Sequence, residues 1–145
     1  MSVVFVQPEP PATRGRRILA PAATIGALAL ATLALHLRDP HQQGSWGLCP
    51  FNAATGLYCP GCGGLRAVND LTQGHVGAAL SSNVVVTVLI PVATVLLAVW
   101  AVDRWRGHTR RVPWQRLRPF VVALVTVLVV FTVARNTGAG PWLAP

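Results

Sequence analysis

Three uncharged apolar runs constrain this chain more than any other feature. Residues 18–37, 84–102 and 119–134 contain no acid and no arginine. A helix needs about twenty residues to cross a bilayer's hydrocarbon core, with a range of roughly 17 to 25. The first two runs meet that length. The third meets it once the long stems of Arg118 and Arg135 reach toward the headgroups. Val and Ile favour strands in water. In lipid, however, each backbone N–H must be satisfied by protein, so only helices and closed barrels span it. Unbroken apolar runs lack the alternation of barrel strands. The fold class that follows is all-α, an integral membrane protein with three transmembrane helices. Pro21 lies near a helix start, where proline is tolerated, whereas Pro91 sits mid-run and predicts a kink.

Charge supplies the topology. The 145 residues are 52% hydrophobic and 11% charged, against about a quarter charged in a soluble domain. The net charge of +8 comes from twelve arginines, no lysine and four acids. In a soluble chain that balance would point to nucleic acid. Here the arginines sit beside the apolar runs. Arg14, Arg16 and Arg17 precede the first run, and Arg104, Arg106, Arg110, Arg111, Arg116 and Arg118 lie between the second and third. Only Arg38, Arg66 and Arg135 fall on the other side. This positive-inside bias places residues 1–17, a proline-containing lead expected to be disordered, in the cytoplasm together with the 103–118 loop. The 38–83 loop and the 135–145 tail then lie outside an inner membrane. Trp100, Trp105 and Trp114 cluster at the cytoplasmic ends, as an aromatic belt would. The basic loop reads as an orientation signal that also suits anionic lipid, and nucleic acid is not an expected partner. The first run also has features of a signal peptide, but it exceeds the usual core of about 7 to 15 residues. Cleaved or not, it leaves the following loop outside.

All three cysteines lie in that loop: Cys49, Cys59 and Cys62, each of the first two followed by proline (Pro50, Pro60). Pro60 fixes φ after Cys59, and Gly61, Gly63 and Gly64 permit a tight turn. A short helix is expected over 65–71, with Leu65, Val68 and Leu71 forming an interfacial strip and Gly74 ending it. A further turn over 76–80 leads to Asn83. His36 is expected at the membrane interface, Asp39 as a solvated partner of Arg38, and Asp70 as an i, i+4 partner of Arg66.

The stretch Cys-Pro…Thr-Gly-Leu-Tyr-Cys-Pro-Gly-Cys-Gly-Gly-Leu-Arg-Ala ahead of an apolar run resembles a bacterial membrane-protein family known as domain of unknown function 2752. The resemblance covers about residues 48–95, a third of the chain. It marks Cys49, Pro50, Gly56, Cys59, Pro60, Cys62, Gly63, Arg66 and Asn83. The chain departs from the family at Leu65, where threonine is frequent, and at Val84, where proline is. The family implies a small integral membrane protein and carries no established activity.

Three readings of the cysteines stay open. Cys-Pro-x-Cys-Gly has the shape of a zinc knuckle, with Cys49 as third ligand and His41 or His75 as fourth. Cys59 and Cys62 also form a Cys-x-x-Cys ahead of a helix, where the N-terminal dipole acidifies a thiol, with Cys49 as resolving thiol. No βαβ context of the thioredoxin type accompanies it. Third, a structural disulfide from Cys49 to Cys59 or Cys62 would pin the loop, leaving Arg66 to clamp carbonyls or lipid phosphate. No Ser/His/Asp set, P-loop or dinucleotide fingerprint is present. The function taken forward is a non-enzymatic membrane module, needing no cofactor, whose loop docks a protein or lipid partner. The alternatives are an extracytoplasmic thiol oxidoreductase and a zinc-binding protein. Gly and Ala in the first run also permit close helix contact, so a homo-oligomer is an open expectation.

Overall fold

The structure, a computed structural model, describes residues 5–8, 13–42, 44–47 and 49–137. The remainder of the proline-containing lead and the tail from 138 onward lie outside the described residues. Among the described residues, three helices are long and apolar enough to cross a membrane: α1 (Arg14–Leu37), α4 (Val76–Arg106) and α5 (Trp114–Asn136). Two short helices, α2 (Pro50–Thr55) and α3 (Gly64–Thr72), lie between α1 and α4. The only strands among the described residues are β1 (Phe5–Pro8) and β2 (His108–Arg111), paired antiparallel with Phe5 opposite Arg111. Residues 5–8 were expected within a disordered lead. Their backbone is instead paired with the strand that follows α4.

The long helices expose most of their large apolar side chains. Leu30 is 69% exposed, Leu96 63% and Phe120 73%. Water would penalise such a surface heavily, whereas lipid chains solvate it. Each helix extends past its apolar run into polar flanks. Pro91 lies inside α4, and the residue of that helix with non-helical dihedrals is Asn83, at φ −165° and ψ 100°. Residues 76–82 are thus a separate helical segment joined end to end with the span. Thr87 bridges the joint, its hydroxyl donating to Ala79 O and Asn83 O, each at 2.8 Å.

Packing concentrates among α1, α3 and α4. Small residues allow α3 and α4 to approach: Ala67 and Ala79 are fully buried, and Gly64 lies against Val86. The other side chains buried here are mostly polar. Asn69 donates to Leu35 O at 2.7 Å, satisfying a carbonyl in the last turn of α1 that has no helical partner. Asp70 accepts from Ser82 Oγ at 2.9 Å, and His36 Nδ1 lies 2.9 Å from Thr72 Oγ1. The strip expected to lie at the interface is only partly covered, with Leu65 exposed and Val68 and Leu71 half-buried.

The helices run up, down and up, so the arginine-rich segments share one end. There Arg14 lies 5.2 Å over the Trp105 ring, and Arg110 pairs with Asp103. The cysteine loop occupies the opposite end.

Candidate thiol centre

Local sequence shapes the loop that carries the cysteines. Cys49 is the residue before α2, Pro50 occupies the first helical position, and Gly56 ends α2 in the left-handed region at φ 72°. The chain then enters the Cys59–Cys62 turn, in which Cys62 N donates to Cys59 O at 3.1 Å. Gly63, at φ 78°, reverses the backbone into α3.

This path brings the three sulfurs together. Cys59 Sγ is 3.6 Å from Cys49 Sγ and 3.1 Å from Cys62 Sγ, and all three lie within 4.8 Å of one another. The Cys59 N–H also donates to Cys62 Sγ at 3.3 Å. All three cysteines are free and half-buried, so the disulfide from Cys49 read as one option from the sequence is not formed here. The thiols differ in acidity. The Asn52 backbone N–H, followed by the Cys59 side chain, holds Cys49 below the ordinary thiol range. Burial, followed by the Cys59 side chain, pushes Cys62 up to about 12.

Three side chains from distant positions hold the turn by its main chain. Asn83 Nδ2 donates to Pro60 O at 2.9 Å and to Cys62 O at 3.0 Å. Its Oδ1 accepts from Val86 N at 3.0 Å, capping the spanning part of α4. The break in α4 is therefore a helix start, made by the residue that grips the turn. From α5, Arg135 Nη1 donates to Cys59 O at 2.9 Å and Cys62 O at 3.1 Å. Asn136 Nδ2 donates to Tyr58 O, and Asn136 Oδ1 accepts from Tyr58 N, both at 2.8 Å.

The candidate histidines go elsewhere. His41 Nδ1 lies 2.9 Å from Asp39 Oδ1, and its Nε2 lies 3.4 Å from Asp70 Oδ1. The two carboxylates hold this ring, which takes no part in the sulfur cluster. Asp39 is held below the usual carboxylate range chiefly by the His41 backbone N–H. It was expected beside Arg38, which instead lies 5.6 Å over the Trp46 ring. His75 is exposed at the start of α4 and is likewise outside the cluster. Arg66 lines a cleft of about 600 Å³ together with the three cysteines, Trp46 and Tyr58.

Arg135 and Asn136 are absent from the site inferred from sequence. Arg135 serves there as a flank of the third apolar run and in the charge count, and both residues open the expected outer tail. One signal was available: Arg135 ends an apolar run, and an ionisable group in a spanning helix is a functional candidate by default.

Residues 49–97 match the model of a family described as a protein of unknown function (DUF2752), the family that the cysteine motif resembles. No curated protein and no solved structure matches the chain.

Proposed function

We propose that this multi-pass membrane protein binds a thiophilic metal ion through Cys49, Cys59 and Cys62. The observation that carries the reading is the convergence of three free thiols. Tetrahedral zinc with bonds of about 2.3 Å spaces its sulfurs by about 3.8 Å. The separations of 3.6 and 3.1 Å are near that spacing and close to it with small side-chain rotations. Four carbonyls (Tyr58, Cys59, Pro60 and Cys62) and the Tyr58 N–H are held by side chains of α4 and α5, so the ligands are set on a braced main chain. No fourth His, Cys, Asp or Glu joins them among the described residues, so three protein ligands face the cleft. A docking surface for a protein or lipid would use the same loop, but the thiol cluster supports a chemical centre more directly.

The test is zinc content of protein purified under reducing conditions in detergent, read with thiol titration. One zinc per chain, lost in Cys59→Ser and Cys62→Ser, is the expected result. Metal-free protein with three titratable thiols that stays empty after zinc addition would overturn the reading.

A second reading rests on Cys59 lying between two other thiols. In thiol exchange, the Cys49 thiolate would attack a partner's disulfide, and Cys59 would resolve the mixed disulfide. The product would be a Cys49–Cys59 disulfide and a reduced partner dithiol. Trapping a mixed disulfide at Cys49 in Cys59→Ser would support this reading over the first.

We further propose an inner-membrane orientation with the N-terminus inside and the cysteine loop outside, supported by the nine arginines at the opposite end. A membrane-impermeant maleimide should label Cys49 in intact cells; labelling confined to inverted vesicles reverses the orientation.

A further inference from the structure

Arg135 is 3% exposed, yet its Nε and Nη2 have no hydrogen-bond partner. Its remaining nitrogen serves two carbonyls of the cysteine turn, and the rings of Phe131 and Tyr58 lie 4.9 and 5.7 Å from the guanidinium carbon. The ionisable groups that act on its charge are Cys62, Cys59 and Tyr58. A guanidinium does not lose its proton in a protein, so this is a permanent cation taken out of water. Rings and carbonyls offset part of that cost, but a buried cation is best compensated by an anion. A protonated thiol does not provide one.

We infer that Arg135 is the counter-charge of the thiol centre, and that with it the site takes a divalent thiophilic cation. The inference rests on the metal-binding reading above. Three thiolates around a divalent ion carry one net negative charge, which one guanidinium neutralises. A monovalent ion in the same site would leave an uncompensated negative charge beside a membrane-spanning helix. Binding breaks three S–H bonds, releases three protons to solvent and forms three metal–sulfur bonds, with no electron transferred. The ion's remaining position opens to the cleft, where water or an external ligand completes it. Arg135 touches no ion in this arrangement. It acts through the ligands, as a positioning residue.

The experiment measures Zn2+ affinity by competition with a chromophoric chelator, using the full chain in detergent as wild type, Arg135→Lys and Arg135→Gln. Helical circular dichroism serves as the folding control. Removing one partner of a buried charge pair is expected to weaken zinc binding in Arg135→Gln by about tenfold or more relative to Arg135→Lys. Arg135→Lys keeps the charge without the fork, so it should stay within that margin of wild type. A smaller gap between the two variants, or an equal loss in both, overturns the inference while leaving the metal site standing. If Arg135→Gln fails to fold, Arg135→Lys decides: retained affinity supports a role for charge, and a loss of about tenfold overturns it. A wild-type chain that binds no zinc with its thiols free overturns both readings together.

Discussion

Asn136 and Tyr58 exchange two hydrogen bonds across 78 positions of sequence, each 2.8 Å long. The amide side chain imitates the edge of a strand, accepting from the Tyr58 N–H and donating to its carbonyl. Among the described residues, Asn136 is the partner of both main-chain groups in this irregular stretch. Asn136→Ala should cost about 1–3 kcal/mol, the range for leaving buried polar groups unpaired. Asn136→Asp should cost more, because a carboxylate would then face the Tyr58 carbonyl. Denaturant titration in detergent micelles would report both, and a cost for Asn136→Asp no larger than that for Asn136→Ala would contradict the assignment.

Asn83 performs two tasks that substitution can separate. Asn83→Asp retains an oxygen for Val86 N and so keeps the helix cap, but loses both donors to Pro60 and Cys62. Asn83→Ala loses everything, at about 1–3 kcal/mol. Hydrogen exchange of Val86 should therefore be faster in the alanine variant than in the aspartate variant. The alkylation rate of Cys62 should rise in both.

Adjacent glycines in the motif should differ sharply in tolerance. Gly63 sits at φ 78°, where a Cβ costs about 1–2 kcal/mol. A Cβ on Gly64 would meet Val86 Cγ2 at 3.4 Å, an ordinary contact in a helical residue. Gly63→Ala should thus be destabilised by about that amount and Gly64→Ala should remain within about 0.5 kcal/mol of wild type. Thermal unfolding of both variants provides the comparison.

Two of the thiols should titrate in a fixed order. Cys49, lowered mainly by the Asn52 N–H, should be alkylated before Cys62, which burial raises. Peptide mapping after brief maleimide exposure of reduced, metal-free protein would show it. The stability consequences have opposite signs. Cys62 favours the folded state while protonated, a contribution present below the ordinary thiol value of 9.0 and lost as pH rises toward about 12. Cys49 contributes above the ordinary value, and that contribution is lost as pH falls through its lowered one. Above pH 9, Cys62→Ser should therefore lose stability less steeply than wild type.

The spans were legible because lipid demands one property, a sufficient unbroken apolar length, and composition records it directly. The cysteine cluster was legible because its members are near in sequence and proline and glycine force the turn. Its supports were harder to read. Arg135 and Asn136 meet Cys59 and Tyr58 only after the chain has crossed the membrane twice more, and hydrogen bonds to main-chain carbonyls leave no pattern in the acceptor residues. Asn83 was marked by family resemblance and stands just ahead of the second apolar run, yet its grip on the carbonyls of Pro60 and Cys62, more than twenty residues away, left no trace in the sequence. The histidines were misleading for a local reason. His41 has ligand chemistry, but Asp39, two residues away, supplies a closer partner.

α5 has no extensive packing against α1, α3 or α4; side chains in its last two turns tie it to the cysteine loop. Its other end is joined through residues 112–113 to β2, which packs against α4, so α5 is held at its two ends and offers most of its length to lipid.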